Sequence, residues 1–176
     1  MDVGELFALA IESHILGQCQ IIGSCSKEDK CKDGSITRNV MVFLRDSQGN
    51  HILQVRSMIK KSWPGSYDPA ACGDVELGET YQQAAHRELG EELGIQCTLR
   101  MVAKKRRTVC YKTDTRQVFT GFFLGVYNGD FSPNKEVDRV EKVPHENFER
   151  MISERAKGIE DYLVEEVAIM RSYWSV

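Results

Sequence analysis

Over its first third the chain alternates short apolar runs with polar, turn-forming stretches. ELFALAI (5–11) and QCQIIG (18–23) predict short strands, and the polar SCSKEDKCKDGSIT (24–37) predicts a loop with about one helical turn. RNVMVFLR (38–45) and HILQVRS (51–57) flank the turn-rich DSQGN, a pattern that predicts a hairpin. WPGSYDP (63–69) predicts irregular chain, because Pro64 and Pro69 each lack a backbone donor and restrict the residue before them.

The apolar period then changes. Ala85, Leu89 and Leu93 recur every fourth residue, which predicts a helix with one buried stripe. Thr80 and Gln83 form a T-x-x-Q capping box, so the helix should begin just after Thr80. Gly94 should end it as a left-handed cap, with Ile95 packing back on the last turn. TLRMVAKKRRTVCYK (98–112) and RQVFTGFFLGVYNG (116–129) predict two further strands, with KKRR (104–107) as a solvated strand end. Helices are predicted near 145–156 and 159–172. In the second, Tyr162, Val167, Met170 and Tyr173 are expected to pack on the chain's own sheet, leaving monomer or homodimer open. Strands, a central helix and a helical end give an α+β class.

Composition narrows the possibilities. The 176 residues fit a single domain, 1–176. A formal net charge of −3 disfavours a nucleic-acid binder, which would carry a basic excess. No apolar run is long enough to cross a bilayer, so no membrane association is expected. The acidic start, with Asp2, Glu5 and Glu12, is unlike a secretion signal, which makes the cytoplasm the expected location. The six cysteines, at 19, 25, 31, 72, 97 and 110, form no C-x-x-C pair and read as reduced, scattered thiols.

Helical spacing places Glu88, Glu91 and Glu92 on one face, where like charges repel by a few tenths of a kcal/mol, about 0.2–0.5 per pair. Clustered carboxylates suit a hard divalent cation such as Mg²⁺ or Mn²⁺. The longer run CGDVELGETYQQAAHRELGEELGI (72–95) is more specific. Gly73, Glu79, Arg87, Glu88, Leu89, Glu91, Glu92, Gly94 and Ile95 match every defined position of the Nudix box, and the chain resembles a Nudix hydrolase. The resemblance implies an α/β/α sandwich with a mixed sheet, a metal-binding loop–helix–loop, and hydrolysis of a small-molecule diphosphate linked to another group. It implies Glu88, Glu91, Glu92 and the Cys72 carbonyl as metal ligands, with Glu91 and Glu92 also counted as catalytic. Gly73, Glu79, Arg87 and Gly94 take structural or orienting roles, Glu79 by orienting Arg87 or reaching a metal through water. The catalytic base, which such enzymes often recruit from beyond the box, is expected at Glu136 of SPNKEVDRVEKVP, with Asp138 and Glu141 as alternatives.

The lead-in RSMIKKSWPGSYDPAACGDVELGE resembles the branch that includes isopentenyl-diphosphate isomerase, where a cysteine stands before the box glycine as Cys72 does here. The chain departs from that branch in three ways. Asp74 stands where a histidine is usual, His14 and His51 lack the context of the upstream ligands, and Thr115–Gln117 carry no carboxylate. The R-E-x-x-E-E core is intact, which favours hydrolysis over isomerisation or a non-catalytic nucleotide-binding module. Arg56, Lys60 and Trp63 are the candidate substrate-binding residues. Arg56 and Lys60, with Lys61, could meet phosphates, and Trp63 either walls the pocket or anchors its loop. Tyr111 lies at a spacing that resembles a marker of dinucleoside polyphosphate hydrolases. Nucleoside diphosphate derivatives are the broad expectation for the substrate.

Overall fold

A computed structural model describes residues 36–112 and 115–174, and the backbone alone of 6–12, 19–26 and 114. The first strands, β1 (Leu6–Glu12) and β2 (Cys19–Ser26), pair antiparallel as a separate two-stranded sheet. The loop predicted over 24–37 is strand at 24–26 and again from Ile36. Its middle, with the helical turn expected there, lies outside the described residues.

The main sheet has seven strands. β3 (Ile36–Arg45), β4 (His51–Arg56), β5 (Tyr67–Asp68), β6 (Ala71–Asp74), β7 (Leu99–Tyr111), β8 (Asp114–Val126) and β9 (Val137–Val143) form it. The order is β5-β4-β3-β8-β7, with β6 also on β3 and β9 also on β4. β3 and β8 run parallel and the remaining pairs antiparallel, so the sheet is mixed. The predicted hairpin of β3 and β4 is narrow: only Leu44↔Ile52 and Arg45↔His51 pair. Beyond them the strands part, β3 to take β6 and β4 to take β5, while β9 runs along the whole of β4.

Three short elements correct the sequence expectations. Tyr67 and Asp68 pair with Val55 and Gln54, so the stretch 63–69 is not irregular throughout. β6 and β9 have too few residues or too polar a pattern to stand out locally, and they are strands because β3 and β4 offer them an edge.

β3 is buried almost end to end, and its alternate side chains face opposite layers. Val40, Val42 and Leu44 join Ala84, Ala85, Leu89 and Leu93 of α1 (Tyr81–Leu93) on one face. Met41 and Phe43 join Phe148 and Ile152 of α2 (His145–Ser153), and Leu163, Val167 and Met170 of α3 (Asp161–Met170), on the other. This is an α/β/α sandwich, and the predicted packing of Val167 and Met170 on the chain's own sheet is realised. α3 is followed by a 3₁₀ turn, Arg171–Tyr173. The predicted helix ends also hold for α1. Thr80 Oγ1 accepts from Gln83 N at 3.2 Å, Gln83 Oε1 accepts from Thr80 N at 2.9 Å, and Gly94 adopts φ 67°.

Candidate active site

α1 and β6 meet where the box folds. Pairing of β6 with β3 sets Cys72 beside Met41 and Gly73 beside Val40. A Cβ on Gly73 would lie 2.0 Å from Glu88 Cδ, so only glycine lets the Glu88 carboxyl approach this backbone. Glu92 lies deeper, and its Oε2 accepts from Cys72 N at 3.0 Å and from Gln54 Nε2 at 2.9 Å. Both of those partners are neutral. Burial pushes the Glu88 carboxyl up to about 8, with Arg87 opposing and Glu92 adding to the rise. Burial likewise holds Glu92 at about 7, against the pull of the Cys72 N–H.

Arg87 organises the remaining box carboxylates. Its Nε and Nη2 donate to Glu79 Oε1 and Oε2 at 2.8 and 3.0 Å, its Nη1 to Glu88 at 2.7 Å, and Nη2 also to the Asp74 carbonyl at 2.9 Å. The two-bond fork to Glu79 is the largest influence holding the Arg87 charge in place, and it lowers the Glu79 carboxyl. Glu91 also accepts from Arg87, at 3.3 Å, but its side chain is 58% exposed. Sequence spacing put Glu88, Glu91 and Glu92 on one face. Packing separates them by depth, because the arc of that face turns from β6 out to the rim.

Glu88, Glu91, Glu92, Cys72 and Gly73 line a cavity of about 690 Å³, together with Arg56, Lys60, Trp63, Tyr111 and Glu136. Glu79 and Gly94 lie outside it, in bracing positions. Gly94 N donates to Gly90 O, and the next segment is tied to the helix end by Ser132 N to Leu93 O and Asn134 N to Glu92 O. Those bonds bring Glu136 to the cavity, where it pairs with Lys60 Nζ while its carbonyl accepts from Ser57 N at 2.9 Å. Asp138 and Glu141 sit further along β9, engaged by Arg139, and neither lines the cavity.

Arg56 is committed within the protein. Its Nη1 donates to Asp68 Oδ2 at 2.6 Å, and its Nε and Nη2 to the Ser62 carbonyl at 3.1 and 3.0 Å. Trp63 has φ 47° and stacks edgewise between Tyr111 and Tyr162, with ring centroids at 4.7 and 4.5 Å. It thus both walls the cavity and anchors its loop. The Cys72 thiol donates to Asp68 Oδ2 at 3.2 Å, and burial pushes it well up, so it is held protonated.

Sequence reasoning missed several residues that line the cavity or, like Gln54, hold a residue that does. Gln54 was legible only as a polar residue inside the apolar run HILQVR. Asn39, Asp68 and Glu166 sit in strands or a helix whose outlook into a cavity depends on how layers stack. Arg107 corrects the reading of KKRR: Lys104, Lys105 and Arg106 are exposed, but Arg107 is buried against Glu166 Oε1 at 2.9 Å. Strand alternation turns Arg107 inward, where α3 supplies its counter-charge.

Among the described residues, no three His, Cys, Asp or Glu side chains already converge as a closed metal site. The donors that do line the cavity are hard oxygens, and Glu92 is buried with neutral hydrogen-bond partners. Such a set fits Mg²⁺ or Mn²⁺ by chemistry, because a cation would supply the charge that Glu92 lacks. No histidine lines the cavity among the described residues. His51 is instead stacked on Phe148 and bonded to His145 at 3.0 Å, while His14 lies outside the described residues.

Comparison with known proteins agrees with this architecture. Over 82 residues the chain is 39% identical to isopentenyl-diphosphate Delta-isomerase 2 of Photorhabdus laumondii, covering 47% of this chain and 46% of that one. Over 74 residues it is 40% identical to an uncharacterized Nudix hydrolase of Pseudomonas aeruginosa, covering 42% and 44%. The chain thus spans about half the length of these curated relatives. The crystal structure of DR0079 from Deinococcus radiodurans superposes with a TM-score of 0.76 at 24% identity, covering 93% of this chain and 98% of that one, a likeness of fold. The NUDIX domain model matches residues 35–162, which take in the main sheet, the box helix and the cavity lining other than Glu166, and the chain belongs to the Nudix family.

Proposed function

We propose that this protein is a metal-dependent pyrophosphohydrolase that cleaves the diphosphate linkage of a nucleoside diphosphate derivative or a related compound. The observation that carries the reading is the burial of Glu88 and Glu92 side by side at the cavity wall, with their carboxyls raised to about 8 and 7. Two buried carboxylates are costly unless a cation joins them.

Glu88, Glu92 and the Cys72 carbonyl would hold Mg²⁺ or Mn²⁺, with Glu91 at the rim. The metal, when bound, neutralises diphosphate charge and lowers the pKa of attacking water. The chain's residues do the rest. Arg87, fixed by Glu79, holds Glu88 in place. Gln54 and the Cys72 N–H hold Glu92. Glu136 accepts the proton of the attacking water, and its pairing with Lys60 places its carboxylate at the cavity edge.

The test is release of phosphate or pyrophosphate, with Mg²⁺ and then Mn²⁺. The panel holds nucleoside triphosphates, nucleotide sugars, ADP-ribose, dinucleoside polyphosphates and prenyl diphosphates. Metal-dependent release that Glu92→Gln abolishes is expected, and silence across the panel would defeat the reading.

The likeness to an isomerase, and a protonated Cys72 thiol at the cavity, supply a second reading: proton transfer to isopentenyl diphosphate. Isomerisation that stops in Cys72→Ala would establish it. The absence of cavity histidines among the described residues weighs for hydrolysis.

A further inference from the structure

Among the described residues, the arginines that line the cavity are Arg56, Arg87 and Arg116. They differ in how far the protein itself uses them. Arg56 gives Nε, Nη1 and Nη2 to Asp68 and the Ser62 carbonyl. Arg87 gives the same three nitrogens to Glu79, Glu88 and the Asp74 carbonyl. Arg116 makes one side-chain bond among the described residues, from Nη1 to Asp74 Oδ1 at 3.1 Å. Its side chain is 26% exposed, against 11% for Arg56. A guanidinium carries five N–H donors in a planar fork. Arg116 thus keeps its Nε–Nη2 edge clear of protein acceptors, and that edge is one that can meet two anionic oxygens side by side.

Two observations fix where this cation stands. Asp74 follows Gly73, the glycine against which the Glu88 carboxyl rests, and the Asp74 carbonyl is held by Arg87. On the other side, Arg116 of β8 is in register with Val109 of β7, and Val109 and Tyr111 line the same cavity. Tyr111 in turn packs on Trp63. Arg116 therefore links the box, through Asp74, to the β7–β8 wall that carries Tyr111. We propose that Arg116 is the side chain that grips phosphoryl oxygens of the substrate, in place of Arg56, while Asp74 holds its Nη1. The inference rests on reading the cavity as a diphosphate site. Arg56 is the residue that the sequence suggests for this task, but it could turn to a ligand only by abandoning Asp68, which is 1% exposed. Arg116 can take a phosphoryl group and keep its carboxylate partner. Its pair with Asp74 is partly exposed, and pairs of that kind add little to stability.

Calorimetric titration with inorganic pyrophosphate in Mg²⁺ tests this on the wild type, Arg116→Met, Arg116→Lys and Lys104→Gln. Lys104 is an exposed cation of the same β7–β8 hairpin that does not line the cavity, so its variant controls for net charge. Arg116→Met should weaken pyrophosphate binding by about tenfold to a hundredfold, and Lys104→Gln should leave it unchanged. Arg116→Lys should fall between, because it keeps the charge and loses the fork. Melting temperatures should stay within about 4 °C of the wild type. On a substrate that the protein hydrolyses, Arg116→Met should raise KM by a similar factor with kcat little changed. Wild-type binding retained in Arg116→Met, an equal loss in Lys104→Gln, or no pyrophosphate binding by the wild type would overturn the assignment. A binding loss that follows a collapse of the melting temperature would overturn it too, leaving the Asp74 pair as a structural one. Pyrophosphate binding that depends on Arg116, with no hydrolysis of any diphosphate, would remove the hydrolase reading and leave the grip standing. Hydrolysis with a KM indifferent to Arg116 would do the reverse.

Discussion

Glu92 shows how much one residue's meaning depends on its surroundings. On the sequence it is one of three glutamates on a helical face. In the fold it is 4% exposed and bonded by Gln54 and the Cys72 N–H, while Glu91 stands at the rim. Glu92→Gln should therefore lower kcat/KM by roughly a hundredfold or more. It should leave the melting temperature in metal-free buffer at pH 8 unchanged or higher, since it removes a buried charge. A variant that loses activity only by melting would refute the assignment. The pH dependence has a definite sign. Glu88 and Glu92 titrate near 8 and 7 when folded, above the ordinary carboxylate value of about 4.3 in an unfolded chain. Their contribution to stability is complete below that unfolded value and is lost as pH rises through 7 and 8. Calorimetry on metal-free protein should thus show a lower Tm at pH 8.5 than at pH 5.5, and saturating Mg²⁺ should recover much of the loss. A Tm that Mg²⁺ leaves unmoved at pH 8.5 would count against the proposed ligands.

At the scale of elements, α1 was legible because its ends are local chemistry. The T-x-x-Q box and Gly94 lie within the helix's own first and last turns, and both took the expected geometry. Gly94→Ala tests the cap. It forces φ 67° on a residue with a Cβ, which would sit 2.8 Å from the Ser132 carbonyl oxygen. A loss of about 1–2 kcal/mol, read by urea denaturation, is the least expected. Unchanged stability would mean that the helix end and the segment leading to Glu136 are not coupled as drawn. β5, β6 and β9 were illegible for the opposite reason. Tyr67–Asp68 and Ala71–Asp74 are two and four residues long. Val137–Val143 alternates weakly and is mostly polar, so it reads as loop. Each became a strand by pairing with a partner distant in sequence, β4 or β3.

At the scale of the whole molecule, the Arg107–Glu166 pair joins β7, at the edge of the sheet, to α3. Side-chain exposures of 6% and 1% make this a buried ion pair. Arg107→Met would leave Glu166 without its counter-charge and should cost about 3–5 kcal/mol by denaturant unfolding. Adding Glu166→Leu to that variant should restore most of the stability, because paired apolar replacements remove the stranded charge. Failure of the second change to compensate would show that the pair is not what sets the cost. By itself the sequence determined the α+β class, the helix with its caps and buried stripe, and the metal-suited carboxylates of the box. All of these follow from spacing within a few turns of chain. The tertiary structure alone decided which glutamate is buried, that Arg56 is held by Asp68, that Arg107 turns inward, and that Asn39, Asp68 and Glu166 share one cavity. Those outcomes depend on which layers stack and which strands part, and desolvation is fixed by neighbours that local sequence does not name.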